Sequence, residues 1–250
     1  MTHCAVILAA GMGTRLRGEL ADRPKGFLRL GEQTLVEESI DRLAGAGIDD
    51  IVIVTGHCAE FYERLADQRS GLVRTVHNVE FARSGSMYSL YCARAVIDAG
   101  FLLLESDLIY ESRALTILLA HPAADVILLS GPTGAGDEVY VETRGGNLVA
   151  MSKDRSALSG VTGELVGMSR ISAGLFGRMR RIAEAAFADS LHFDYETDCL
   201  VAAGAEQPIA CPVVADLAWS EIDDPAQLQR ARETVYPEIC RRDGLPRQAV

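Results

Sequence analysis

The chain has 250 residues, 48% of them apolar and 24% charged, with a formal net charge of −11. That length and composition suit a globular protein with a substantial core, and the acidic balance argues against a general nucleic-acid surface, which needs a broad basic footprint. No apolar run approaches the roughly 18 residues of a membrane-spanning helix and the first residues enter a strand without a charged leader, so the expectation is a cytoplasmic protein with no membrane insertion.

In chain order, residues 4–8 form an apolar run rich in Val and Ile, as a buried strand requires. It opens into Leu8-Ala9-Ala10-Gly11-Met12-Gly13-Thr14-Arg15-Leu16, continued to Pro24-Lys25. Small side chains let backbone N–H groups approach an anion, and glycine permits the positive φ such a loop needs. Arg15 and Lys25 add fixed positive charge, so the stretch reads as a phosphate cradle. A dinucleotide fingerprint would place a third glycine at Leu16, and a Walker loop would need Gly-Lys followed by Ser or Thr; neither fits. A Gly-rich connection that binds nothing is the alternative.

Residues 34–46 set Leu35, Val36, Ile40 and Leu43 against Glu37, Glu38, Asp41 and Arg42, the pattern of an amphipathic helix. A strand at 51–55, a helix at 59–66, a strand at 73–76 and a helix at 87–96 follow, the last after Ser84-Gly85-Ser86. The apolar strand 101–104 then runs into Glu105-Ser106-Asp107. Continuous apolar runs separated by helices predict a mostly parallel sheet covered on both faces.

Beyond a strand at 125–129 the grammar changes. Segments 138–142 and 147–152 flank Arg144-Gly145-Gly146 as an antiparallel hairpin. Helices are expected at 178–188 and 195–203 and a strand at 208–214. Asp224 as N-cap and Pro225 at the first helical position start a last helix over 226–234, and 241–250 reads as a loose polar tail. The fold class is α/β, a mostly parallel but mixed sheet sandwiched by helices, with a small hairpin-and-helix lobe. One domain over 1–250 is expected, with the cradle in a nucleotide-binding half (1–131), an acceptor-binding lobe (132–203), and a return strand and C-terminal helix (204–240). The cysteines Cys4, Cys58, Cys92, Cys199, Cys211 and Cys240 form no C-x-x-C pair, as scattered reduced thiols would not.

Several side chains could carry chemistry. Asp107 follows a fully apolar strand and reads either as the cap of a following helix or as a hard oxygen donor for Mg²⁺. In Trp219-Ser220-Glu221-Ile222-Asp223-Asp224-Pro225, Asp223 lies just outside the helix, so the acidic run either complements the helix dipole or frees Asp223 to turn toward a metal. Lys153, at the hairpin's end, is either a solvated lysine or a second anion-holding cation. Tyr195 with Asp194, Glu196 and Asp198 is either a solvated helix start or a place for an ammonium by charge and cation–π contact. Asp137, Glu138 and Glu164 are further candidates for that task.

The pattern Leu-Ala-Ala-Gly-x-Gly-Thr-Arg-Leu, then Pro-Lys, then an Asp after an apolar strand, resembles the nucleotidyltransferases that couple a nucleoside triphosphate to a small phosphorylated compound, among them the sugar-1-phosphate nucleotidylyltransferases. Within that superfamily, Ile51-Val52-Ile53-Val54-Thr55-Gly56-His57, Ser86-Met87-Tyr88-Ser89-Leu90 and Glu221-Ile222-Asp223 look like the branch of phosphocholine and 2-aminoethylphosphonate cytidylyltransferases.

The resemblance implies a Rossmann-like sheet and a nucleotide-binding loop of Leu8, Ala9, Ala10, Gly11, Met12, Gly13, Thr14 and Arg15. It makes Arg15, Lys25, Asp107 and Asp223 the catalytic group and Asp107 with Asp223 the Mg²⁺ pair. Segment 78–89 corresponds to the region that meets the base, with Asn78 as a nucleotide-binding residue and Ser84, Gly85 and Ser86 as short polar contacts to cytosine. Gly-Ser-Met stands where sugar-nucleotide enzymes carry Gly-Thr-Ala, which weighs against a sugar acceptor.

The implied reaction is transfer of CMP from CTP to a small phosphonate or phosphate monoester, 2-aminoethylphosphonate first, with release of pyrophosphate. Lys153 would hold the acceptor's anion, and Asp194, Tyr195, Glu196 and Glu164 its ammonium. A quaternary choline head wants an aromatic cage, and the single Trp219 lies beside Asp223 instead. Phosphocholine, hydroxyalkylphosphonate or sugar-1-phosphate transfer are the alternative reactions, and a nucleotide-binding regulatory module the non-catalytic one. A homodimer is left open.

Overall fold

The computed structural model describes residues 2–20 and 22–245. Its centre is a sheet whose first four strands are β1 (Cys4–Ala9), β2 (Asp50–Thr55), β3 (Val73–His77) and β4 (Phe101–Glu105). After β4 come β5 (Leu108–Tyr110), β6 (Val126–Ser130), the hairpin β7 (Tyr140–Arg144) and β8 (Asn147–Ser152), β9 (Gly163–Ile171), β10 (Val213–Val214) and β11 (Trp219–Glu221). The main order is β10-β6-β9-β4-β1-β2-β3, with β7 branching from β9 and β8 from β7, while β5 and β11 form a separate two-stranded ribbon. β1 pairs in parallel with β2 and β4, and β9 runs antiparallel between β4 and β6.

Alternation along β1 assigns the two faces. Val6 and Leu8 pack with α3 (Ser86–Cys92) and α5 (Ala173–Ala186), whereas Ala5 and Ile7 pack with α1 (Leu35–Gly45), α2 (Ala59–Gln68) and α4 (Arg113–Ala120). Each fully buried Leu or Ile contributes roughly 1.5–3 kcal/mol, so both faces are strongly held. A third cluster joins Leu16, Leu20, Leu28 and Leu30, which follow the Gly loop, to the C-terminal helices α6 (Pro225–Arg230) and α7 (Tyr236–Arg242). Loop and C-terminus are thereby one packed unit. Helix α1 starts on a capping box in which Glu37 N donates to Thr34 Oγ1 at 3.4 Å and Thr34 N to Glu37 Oε2 at 2.8 Å.

The parallel core matches the sequence reading closely, and the later half departs from it. The strand β9 was not expected, because Gly167 at φ +76° and the polar Ser169 and Arg170 interrupt its apolar pattern. Asp107 heads the strand β5 instead of capping a helix. Helix α5 begins at Ala173, capped by Ser172, whose Oγ accepts from Leu175 N at 3.1 Å; Gly174 and Gly177 blur its early periodicity. The strand expected at 208–214 shrinks to β10 plus isolated bridges of Ala210 to Val126 and Asn147. Residues 195–203 do coil, as a π turn over Tyr195–Leu200 and one α turn. Of the tail, Arg241 and Arg242 belong to α7, and 246–250 lie outside the described residues. No helix among the described residues is long and apolar enough to cross a membrane. All six cysteines are free thiols.

Candidate active site

The carboxyl ends of β1 and β4 open into a cavity of about 300 Å³, the position at which open α/β sheets bind ligands. Leu8, Ala9 and Gly11 line it, while Met12 points outward at 42% exposure. Among the described residues, no hydrogen bond outside helices and strands uses an N–H of Gly11, Met12 or Gly13 as donor, so the loop keeps donors for an anion. Gly13 sits at φ +56°, and a Cβ there would lie 2.9 Å from Lys25 Cγ. Its bareness is what lets the lysine stem pass. Gly26 does the same on the other side: a Cβ would meet the Tyr62 hydroxyl at 2.8 Å and the Ser106 carbonyl oxygen at 3.1 Å. The turn carrying Lys25 is therefore seated directly beside Asp107.

Lys25 Nζ donates to both Asp107 Oδ2 and Asp223 Oδ1. Burial works to lower the lysine's pKa, but the charge of Asp107 and then of Asp223 outweighs it and holds the ammonium well above its ordinary value. Burial works against the charged form of Asp223 too, and the charges of Lys25 and Arg15 hold that carboxyl below its usual range. Arg15 Nη2 donates to Asp223 Oδ2 at 2.5 Å, and Nη1 stands 3.6 Å from Asp137 Oδ2. The four residues expected to act together are assembled in one cluster.

What brings the two aspartates together is the short ribbon of β5 and β11. Glu221 registers against Leu108, and Ile222 N donates to the Asp107 carbonyl at 3.2 Å. The same pairing delivers Glu221, absent from the expected ligand set. Oxygen atoms of Asp107, Glu221 and Asp223 all lie within 4.8 Å of one another. Burial first, then the neighbouring charges of Asp107 and Asp223, push the Glu221 carboxyl up to about 9. Asp107 Oδ1 is buried without a hydrogen-bond partner. Three hard oxygen donors with one unmet buried lone-pair site fit a divalent cation such as Mg²⁺. Gln227 completes the frame: its Oε1 accepts from Asp223 N at 2.6 Å and its Nε2 donates to Asp137 Oδ1 at 2.5 Å. A buried amide one turn into a helix gave no sequence signal.

The segment expected to meet the base is built differently from that expectation. Asn78 is fully buried, with Nδ2 donating to Ser84 Oγ and Ser89 Oγ at 3.0 Å each and Oδ1 accepting from Glu80 N at 2.9 Å. It shapes the segment and presents nothing to a ligand. Ser84 is engaged by Asn78, and Gly85 N by the Leu191 carbonyl at 2.8 Å. Ser86 lines the cavity, but its Oγ donates toward Asp194 Oδ1 at 3.2 Å and Glu196 Oε2 at 3.3 Å and accepts from Tyr195 N at 3.0 Å. This serine ties α3 to the acidic stretch.

In that stretch Asp194 and Glu196 line the cavity, whereas Tyr195 is 1% exposed and sits in the core. Its ring offers no face for a cation; its hydroxyl hydrogen-bonds Glu105, which lines the cavity and was overlooked in the sequence. Burial above all raises the Glu196 carboxyl to about 7. Lys153 is an exposed residue of the lining, and Glu164 is buried with Oε2 accepting from Thr133 N at 2.8 Å, so its first task is to hold that loop.

The chain is similar to known proteins along most of its length. The model of the MobA-like NTP transferase domain matches residues 5–182. A CMP-5'-(3-aminopropyl)phosphonate synthase of Streptomyces rubellomurinus is 30% identical over 91% of this chain, which spans 38% of that relative's length. A 2-aminoethylphosphonate cytidylyltransferase of Lancefieldella rimae is 28% identical over 90% of this chain and 89% of its own. In fold, the inositol-1-phosphate CTP transferase of T. maritima superposes with a TM-score of 0.82 at 19% identity, over 98% of each chain.

Proposed function

The chain belongs to the MobA-like NTP transferase domain family, and on that premise we propose that it is a cytidylyltransferase that moves CMP from CTP to a small phosphonate, 2-aminoethylphosphonate first. The observation that carries the reading is the cluster of Lys25, Arg15, Asp107, Glu221 and Asp223 at the mouth of a loop with unspent N–H donors. Preference for CTP and for an aminophosphonate draws support from the two relatives named for such substrates. Residues 1–131 supply the nucleotide side, 132–203 the acceptor side, and 204–240 return the second aspartate to the first.

The chemistry follows from charge. An oxygen of the phosphonate, already ionised at neutral pH, forms a bond to the α-phosphorus while the bond from α-phosphorus to the bridging oxygen breaks and pyrophosphate leaves with that electron pair. No strong general base is required. Two polyanions must be brought together, which makes positioning and charge neutralisation the main tasks. The Gly11–Gly13 N–H groups bind phosphate oxygens. Arg15 exchanges its carboxylate partners for the β- and γ-phosphates, and Lys25 stays between the aspartates and reaches the α-phosphate. Asp107, Asp223 and Glu221 would hold Mg²⁺, which neutralises phosphate charge when bound.

An ammonium is served by carboxylate acceptors, and Asp194 and Glu196 line the cavity. Among the described residues, the aromatics lining it are Tyr62 and Trp219, too few to cage a quaternary ammonium. Lys153 at the rim draws the acceptor's anion inward.

The test measures pyrophosphate release for four nucleoside triphosphates against aminoethylphosphonate, aminopropylphosphonate, hydroxyethylphosphonate, phosphocholine and glucose 1-phosphate, with and without Mg²⁺. The expected maximum is CTP with an aminophosphonate. A maximum with UTP and glucose 1-phosphate would overturn the reading, and release with no pair would remove the enzyme altogether.

A further inference from the structure

Among the described residues, five buried side-chain polar atoms have no hydrogen-bond partner: Asp107 Oδ1, Thr133 Oγ1, Arg180 Nε, Trp219 Nε1 and Arg230 Nη1. Four of the five belong to residues lining the one cavity. Unmet polar atoms concentrated there mark where a ligand supplies the missing partners, since buried polar groups are otherwise almost always paired. Asp107 Oδ1 is an acceptor and belongs with the metal site. Trp219 Nε1 and Arg230 Nη1 can only donate, and the Thr133 hydroxyl can donate as well. Donors that converge on a ligand select an anion.

Arg230 is the charged member of that set. Among the described residues, three cations line the cavity, Lys25, Lys153 and Arg230. Lys25 is committed to Asp107 and Asp223, and Lys153 is exposed at the rim. Arg230 makes no ion pair among the described residues; its Nη2 donates to the Thr133 carbonyl at 3.0 Å, which leaves Nη1 inward and unmet. A guanidinium without a carboxylate in a cavity rich in carboxylates has been kept free for another partner. Its placement is fixed from both sides. Gln227, three residues earlier on the same helix face, is locked to Asp223 and Asp137, and Thr133 is held by Glu164. Thr133 lies in the loop after β6, which the strand order separates from β1 and its Gly loop by β9 and β4, so the anion met here is assigned to the acceptor and not to the triphosphate.

We propose that Arg230, assisted by the Thr133 hydroxyl, binds the anionic phosphonate or phosphate group of the acceptor and sets its oxygen toward the nucleotide. This assignment rests on the cytidylyltransferase reading for the identity of the acceptor, but not for the existence of the anion site. An Arg fork can engage two oxygens of a tetrahedral anion at once, which a lysine cannot.

The test combines initial-rate kinetics with equilibrium binding on the full chain. With CTP and 2-aminoethylphosphonate varied in turn, Arg230→Gln is expected to raise the KM of the acceptor by about 10–100-fold, the worth of a charge-assisted bond, while the KM of CTP stays within about two-fold. Arg230→Lys should recover part of the loss, and Thr133→Val should raise the acceptor KM by a smaller factor. An unchanged acceptor KM in Arg230→Gln, or an equal rise in both KM values, would overturn the proposal. Binding of methylphosphonate by calorimetry, in the presence of a non-hydrolysable CTP analogue, gives the second reading. It should be present in the unmodified chain and lost in Arg230→Gln. If the unmodified chain does not turn over yet binds methylphosphonate through Arg230, the reaction assignment falls and the anion site stands; if methylphosphonate binds both proteins equally, or neither, the anion site falls.

Discussion

Lys25 sits at the point where every charge in the site meets. Its ammonium is shared by Asp107 and Asp223, and Arg15 takes the remaining oxygen of Asp223. Removing it leaves two buried carboxylates facing each other and strips charge stabilisation from the transferring phosphate. Lys25→Ala is therefore expected to lower kcat by about 10²–10³-fold, the usual loss on deleting one such group, with the circular dichroism spectrum unchanged; a near-normal rate would place the chemistry elsewhere. Glu221 gives a narrower expectation. Glu221→Gln keeps the shape but removes a carboxyl that can ionise onto a bound cation, so the Mg²⁺ concentration for half-maximal rate should rise at least several-fold, read from a metal titration of the EDTA-treated protein.

Glu196 supplies a pH dependence with a defined sign. Its carboxyl is held up to about 7, chiefly by burial, so it is mostly neutral below that pH and charged above it. An ammonium-bearing acceptor gains from the charged form and a hydroxyl-bearing one does not. The ratio of kcat/KM for aminoethylphosphonate to that for hydroxyethylphosphonate should climb between about pH 6 and pH 8, and Glu196→Gln should flatten it. Because the ammonium lowers the second phosphonate pKa of the amino acceptor relative to the hydroxyl one, the slope is read as the difference between the unmodified chain and Glu196→Gln, in which the phosphonate titrations are the same. These residues were legible to different degrees for physical reasons. Asp107 stands out as a charge at the end of an apolar strand and Lys25 as a cation following a bare Gly loop, whereas Asp223 and Glu221 share an acidic run that a helix dipole also explains, and only the family resemblance singles out Asp223. Asn78 and Tyr195 look like ligand contacts in a sequence, yet both are buried and spend their polar atoms on neighbouring residues.

At the scale of elements, the strands that could be read were those buried on both faces, because an unbroken Val-Ile-Leu run has few other interpretations. The ribbon of β5 and β11 is three residues on each side and carries no period of its own. It nevertheless decides the site, since it alone brings Glu221 and Asp223 to Asp107. β9 is hidden by Gly167 and by Arg170, whose guanidinium donates to the Leu119 and His121 carbonyls at 2.9 and 2.7 Å and is thus satisfied within a largely buried strand. The turn carrying Lys25 offers an element-scale test. Gly26→Val drives a side chain into the Tyr62 hydroxyl and the Ser106 carbonyl, so it should lower stability by about 1–3 kcal/mol and reduce turnover by more than the stability loss explains, because Lys25 is displaced from Asp107. Gly45→Ala, where a Cβ meets nothing within 4 Å, is the control. It should leave turnover unchanged and Tm unchanged or slightly raised.

For the molecule as a whole, the field outside the cavity opposes the chemistry inside it. A chain of net charge −11 repels a nucleoside triphosphate at long range, while Lys25, Arg15 and the loop N–H groups attract it only at contact. The Debye length is about 30 Å at 0.01 M salt and about 8 Å at 0.15 M, so added inert salt screens the repulsion before it weakens the partly buried contacts. At saturating, constant free Mg²⁺, kcat/KM for CTP should rise by about two-fold or more between those two ionic strengths and fall only at higher salt. Enzymes that steer anionic substrates with a broad basic surface show the opposite slope from the outset. A monotonic fall here would mean that the local cations dominate the approach as well as the bound state, and Arg15→Gln, which deletes the outermost of them, would then be the variant that restores the rise.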